Sequence, residues 1–180
     1  MDKSPKNDSA TPGKKMKPAL ALYQPDIAGN TGTLIRLCAC FGSELHIIEP
    51  AGFRDDDTTL RRSGMDYIQL AAVTRHADFA AFETWRQKQA KRLVLLTVRA
   101  STLHHEFAFL PTDILLLGRE SAGVPDAVHA ASDDRIRIAM VEEARSINQA
   151  VSGAIVLAEA LRQTGTFPSG TFPPGTFPVA

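Results

Sequence analysis

Four consecutive apolar residues, Ile114-Leu115-Leu116-Leu117, stop abruptly at Gly118. A run with no polar side to offer water suits a central strand of a parallel sheet, covered on both faces. Its surroundings repeat the theme. From Pro18 onward, short apolar runs alternate with amphipathic ones, the pattern of a parallel sheet with crossover helices. Strands are expected at 19–23, 44–48, 67–71, 93–97, 113–117 and 135–138, and helices at 31–41, 77–89, 125–130 and 147–162. Asn30 suits the N-cap of the first helix, Gly42 its C′ position, and Pro125 the first residue of the third. The expected class is α/β, a mostly parallel sheet with flanking helices.

A chain of 180 residues buries one good core, so a single domain is expected over residues 18–164. Residues 1–17 collect Lys, Pro, Ser, Gly and Asp without apolar periodicity and read as a disordered basic tail. Residues 165–180 carry Gly-Thr-Phe-Pro three times, starting at 165, 170 and 175, and read as a low-complexity tail. With no apolar leader and no long uncharged apolar run, a soluble cytoplasmic protein without a membrane partner is expected. Cys38 and Cys40, two apart in a helical stretch, read as small buried hydrophobes, and no Cys or His cluster completes a metal site. The tail takes five of twenty basic and two of twenty acidic residues, leaving fifteen against eighteen and a body of net charge −3. Affinity for nucleic acid therefore needs a local basic patch, a groove between two copies, or the tail.

Ligands of open α/β sheets gather beyond the carboxyl ends of the strands, and three such loops carry unusual chemistry. The first, Gln24 to Thr33, contains Asn30-Thr31-Gly32 and leads into a helix with Arg36. It lacks both the P-loop ending and the dinucleotide glycine fingerprint, which places an oxidoreductase last among the readings. Asn30 reads as a helix cap and Arg36 as a solvated side chain unless other residues speak for them. The second loop, Gly118-Arg119-Glu120-Ser121-Ala122-Gly123-Val124-Pro125, puts Glu120 at a buried strand end. There the carboxylate either finds a partner or lies exposed on a turn. In the third, Arg145-Ser146-Ile147-Asn148-Gln149, Ser146 and Gln149 have the spacing of a capping box. That leaves Asn148 unexplained in the first turn, and Arg145 electrostatically unhelpful before a helix N-terminus.

Together, and in this order, the three loops resemble the three signature motifs of the SpoU class of the SPOUT superfamily, over about residues 19–163. Leu45-His46-Ile47-Ile48-Glu49-Pro50, residues 60–67 and Val73-Thr74-Arg75-His76 resemble its short bacterial members, which 2′-O-methylate the cytidine or uridine at the tRNA wobble position. The resemblance implies a C-terminal trefoil knot, which pattern alone would never suggest. It also implies S-adenosylmethionine as methyl donor, tRNA as substrate, a homodimer, and neither metal nor DNA. Leu96, Gly118, Ile138 and Ser146 would line the donor pocket, while Asn30, Arg36, Glu120, Ser146 and Asn148 match the functional polar positions. The chain departs from that subfamily at Ala28 or Gly29, at Thr33, at Gln149-Ala150-Val151, and at Arg119, where proline is common.

A guanidinium is effectively always protonated, so Arg36 is expected to stabilise a developing alkoxide rather than abstract a proton. Glu120, Ser146 and Asn148 are expected to orient donor and ribose. Arg61 and Arg62, with the tail lysines, are candidates for phosphate contact, a solvated helix face being the alternative. His104 and His105 are expected at the surface. Other expected readings are 2′-O-methylation at another tRNA or ribosomal RNA site, and a catalytically inert knotted RNA-binding homologue.

Overall fold

The computed structural model describes residues 16–170, with only the backbone of residues 65 and 66. Most of both predicted tails, residues 1–15 and 171–180, lies outside the described residues. A six-stranded parallel sheet forms the centre, in the order β3-β2-β1-β5-β4-β6. The strands are β1 Ala19–Tyr23, β2 Glu44–Ile48, β3 Ala72–His76, β4 Arg92–Leu96, β5 Asp113–Leu117 and β6 Asp134–Ile136. The helices are α1 Ala28–Phe41, α2 Thr58–Gly64, α3 Phe79–Lys88, α4 Asp126–Ala131 and α5 Gln149–Thr164, and a 3-10 helix spans Met65–Gln69.

Strand alternation divides the core between the two faces of the sheet. Leu20 and Leu22 of β1, with Leu115 and Leu117 of β5, pack against Leu34, Ile35 and Cys38 of α1 and Val156, Leu157, Ala160 and Leu161 of α5. Ala19, Ala21 and Tyr23, with Ile114 and Leu116, face Phe82 of α3 and Val128 of α4. The run Ile114-Leu115-Leu116-Leu117 is thus central and buried on both sides, as expected. Each fully buried leucine side chain contributes about 2 kcal/mol of transfer free energy. Gly32 brings α1 against α2: a Cβ there would sit 2.6 Å from Ser63 Cβ and 2.7 Å from the Leu60 carbonyl oxygen.

Several elements depart from the sequence expectation. The third strand is Ala72–His76 rather than 67–71, and the apolar Tyr67-Ile68 stretch winds into the 3-10 helix. As an edge strand β3 is mostly exposed or half-buried, so it carries no apolar run. Helix α1 begins two residues before Asn30 with Ile27 as its cap, so Asn30 is not the N-cap. Nor do Ser146 and Gln149 form a capping box: the chain stays non-helical to Asn148, whose side-chain oxygen accepts from the amides of Ala150 and Val151. Pro125 caps α4 from outside instead of starting it. Cys38 is buried but Cys40 is exposed. The first Gly-Thr-Phe-Pro unit begins on the fold: Gly165 ends α5 at φ 62°, Thr166 is buried, and Phe167 meets Phe41 edge-on at 5.5 Å.

Candidate functional site

The carboxyl ends of β4 and β5, with Ile27 and Asn30 beyond β1 and the segment that follows β6, surround a cavity of about 750 Å³. Leu96 arrives at the end of β4, Gly118 directly after β5, and Ile138 after β6, while Ser146 and Asn148 come from the approach to α5. Asn30 reaches the same space from the first turn of α1. Neighbouring parallel strands end together, so residues distant in sequence meet here without any one segment having to fold back.

Three polar side chains tie the loops into one unit. Asn30 Nδ2 donates to Glu120 Oε1 at 3.0 Å, and Asn148 Nδ2 donates to Asn30 Oδ1 at 3.0 Å. The second oxygen of Glu120 accepts from the backbone N–H of Asp26 at 2.8 Å. Since Asn148 Oδ1 is engaged by the α5 amides, every amide orientation along this chain is fixed by what each atom must donate or accept. Glu120 therefore has partners, and Asn30 serves the relay instead of a helix cap.

The second loop is stiffened by its own backbone. Arg119 and Gly123 exchange both N–H to carbonyl bonds at 2.9 Å, and a Cβ on Gly118 would lie 2.7 Å from Gly123. Glycine at 118 permits this closure. Asp26 grips the loop from the first one: Arg119 donates to its Oδ1 from Nη2 at 2.6 Å and from Nε at 3.1 Å. Ser121 donates to its Oδ2 from Oγ at 2.6 Å and from N at 3.1 Å. The Arg119 bond, followed by those from Ser121, holds the Asp26 carboxyl down to about 2.

Asn30, Leu96, Gly118, Glu120, Ile138, Ser146 and Asn148 all line the one cavity. Arg36 does not. It lies on the exposed side of α1, with its guanidinium 5.2 Å from the centre of the Tyr67 ring. Arg61 and Arg62 are exposed on α2, away from the cavity lining. His105 is exposed, His104 is half-buried with its pKa lowered by burial, and neither lines the cavity. Sequence reasoning gave no role to Asp26, and expected the side chain of Gln149 in a capping box, whereas it donates to the Gly118 carbonyl at 2.8 Å. For Asp26 the sequence offers only an acid in the first loop and an unusual arginine in the second, with nothing to pair them. No group of three or more potential metal-binding side chains occurs among the described residues. None of their helices is long and apolar enough to cross a membrane.

Residues 17–158 match the SpoU rRNA Methylase family. The chain belongs to that family. A tRNA (cytidine(34)-2′-O)-methyltransferase of Ancylobacter novellus is 60% identical over 149 residues, 83% of this chain and 94% of the relative. The Escherichia coli K12 protein of the same description is 43% identical over 148 residues, covering 81% and 93%. Among solved structures of the family, one described as "Structural insights into the 2-OH methylation of C/U34 on tRNA" superposes with a TM-score of 0.79 at 35% identity, over 83% of this chain and 97% of that one. The SpoU methyltransferase AviRb of Streptomyces viridochromogenes, in complex with AdoMet, shares the fold at a TM-score of 0.75 and 24% identity, over 84% of this chain and 59% of that one.

Proposed function

We propose that this SpoU-family chain transfers the methyl group of S-adenosylmethionine to the ribose 2′-hydroxyl of the wobble nucleotide, position 34, of tRNA. The observation that carries the reading is the Glu120–Asn30–Asn148 relay, which locks three loops around one cavity. The cavity suits the donor in kind and size. Ligand sites of this class occupy about 300–1,000 Å³, and here apolar Leu96, Ile138 and Ile147 stand beside the polar loop backbone at Gly118. Leu96, Gly118, Ile138 and Ser146 would hold the donor. When bound, S-adenosylmethionine supplies a methyl group on a sulfonium, open to in-line displacement.

The protein's part is alignment and charge. Asn30, itself held by Asn148, keeps the Glu120 carboxylate in one orientation at the cavity wall, where it orients the attacking hydroxyl. Arg36 stabilises the developing alkoxide as a cation, while the hydroxyl proton passes to a phosphate, a carboxylate or water as the oxygen–methyl bond forms and the sulfur–methyl bond breaks. Because Arg36 does not line the cavity of its own chain, the proposal includes a homodimer in which one copy's Arg36 serves the other's cavity. Mixing Arg36→Ala with Glu120→Gln protein should then restore fast transfer that neither variant shows alone. The proposal also includes a C-terminal trefoil knot. In its favour, β6 lies at the sheet edge while α5 returns over β1 and α1, and Gln163 on α5 is bonded to the backbone of Phe107 and Phe109. Arg61, Arg62 and the tail lysines supply phosphate contacts outside the cavity, and the reaction takes place in the cytoplasm.

The test is direct. Purified protein is incubated with tRNA and S-adenosylmethionine, and the product is mapped by nuclease digestion and mass spectrometry. Methylation at the ribose of nucleotide 34 is expected. Transfer confined to another nucleotide, or to ribosomal RNA, would replace the substrate assignment, and no transfer with no donor binding would remove the activity.

A further inference from the structure

Asp26 and Arg119 bracket Glu120 in a way that ordinary loop packing does not require. The Asp26 carboxylate bonds the residues on either side of Glu120, Arg119 and Ser121, while its backbone N–H bonds Glu120 itself. One residue of the first loop thus holds three consecutive residues of the second. Arg119 supplies the charge for this grip, and both its bonds converge on the same oxygen, Asp26 Oδ1. Asp26 is anchored from behind, since the Pro25 carbonyl accepts from the amide of Gly52 at 2.8 Å. The clasp therefore links a fixed point on the first loop to the tip of a hairpin already closed by the Arg119–Gly123 bonds.

We infer that the Asp26–Arg119 pair is a positioning device that sets the Glu120 carboxylate for methyl transfer. This rests on the function proposed above. Arg119 and Asp26 act through Glu120 and need not touch the ribose. Without the clasp, the Asp26 amide is no longer pinned against Glu120 Oε2, and the carboxylate keeps only its bond from Asn30. Small misplacements of an aligning group lower rates by up to about a hundredfold. The pair is part-exposed, with side chains 40% and 21% accessible, so its loss should affect overall stability little.

The experiment is a double-mutant cycle on the full chain, reading single-turnover methyl transfer to tRNA, calorimetric affinity for S-adenosylmethionine, and melting temperature. Arg119→Ala should slow transfer roughly ten- to a hundredfold, with donor affinity within about threefold of wild type and a melting shift below about 4 °C. Arg119→Lys, which retains a charge but not the double bond to Asp26, should fall between. In a Glu120→Gln background, Arg119→Ala should slow transfer no further, because its route runs through that carboxylate. Should Arg119→Ala not fold, Asp26→Asn takes its place in the cycle with the same expectation. Losses that multiply in the double variant, or a rate loss tracking a large fall in melting temperature, would overturn the clasp while leaving the methyltransferase reading intact. A wild-type protein that transfers no methyl group overturns the functional reading and the clasp's role with it.

Discussion

The two ends of the sheet use charge in opposite ways. At the amino ends of β4, β5 and β6, Arg92 meets Asp113 and Asp134, while the buried Arg86 meets Glu83, Asp133 and the Lys91 carbonyl. Asp113 has no solvent exposure and takes both Arg92 and the Leu110 amide. These groups are matched to one another and stitch the scaffold. At the carboxyl ends the chain Glu120–Asn30–Asn148 borders an open cavity, and Arg137 and Arg145 line it with no salt bridge among the described residues. The matched charges at the amino ends serve stability, whereas a charge held in place beside open space is available to a ligand.

That contrast makes separable predictions. Arg92→Ala strands the buried Asp113 carboxylate and should lower unfolding stability by about 3 kcal/mol. Urea denaturation reads the loss, and donor affinity in the folded fraction should stay unchanged. Glu120→Gln does the reverse. It places an amide NH₂ among donors that want an acceptor and should slow transfer about a hundredfold, with an unfolding midpoint close to wild type. A rate within threefold of wild type would remove Glu120 from the site.

Acid should act on the scaffold through a buried histidine pair. His46 is buried beside His76, with Nδ1 3.2 Å from His76 Nε2, and its rings pack on Phe82 and Trp85. Burial, then the neighbouring His76, pushes His46 down to about 4, with Lys91 adding to the shift and Glu44 opposing it. Burial lowers His76 as well. The folded state keeps His46 neutral while the unfolded chain takes up a proton near its ordinary value of 6.5, so stability is full above that pH and is lost as pH falls toward 4. Stability should drop by about 2 kcal/mol between pH 7 and pH 5, and His46→Phe should flatten that slope. The smallest effect separates two roles of one residue. Asn148→Ala should lose about 1 kcal/mol of cap stability along with transfer, whereas Asn148→Asp keeps the acceptor, hence the cap, but no longer donates to Asn30. Only activity should fall in the second variant.

The sequence was most legible where burial on both faces leaves no alternative. The expected bounds of β1, β2 and β5 coincide with the structure. Legibility failed at β3 because an edge strand needs little apolar side chain, and at α2 because Thr58–Gly64 is short and polar on most of its surface. The caps at Asn30 and Ser146 were misassigned for a different reason. Local spacing describes competition for nearby amides, but Asn30 is engaged by Glu120, 90 residues away. The convergence of the three motif loops on one cavity was readable because they fall at strand ends, whose common side the parallel topology fixes, whereas Leu96 and Ile138 were expected there only from the family resemblance. The clasp was not readable, because pairing Asp26 with Arg119 requires knowing that β1 and β5 are neighbours.

Methylation of tRNA in cells decides whether this chain acts at nucleotide 34. tRNA from a strain lacking this gene, and from the same strain carrying either the wild-type or the Glu120→Gln gene, is mapped for ribose 2′-O-methylation by mass spectrometry. The methyl group at nucleotide 34 should be lost without the gene, return in full with the wild-type gene, and return at most in part with Glu120→Gln. Methylation at nucleotide 34 that persists without the gene, with loss at another RNA position instead, would contradict it.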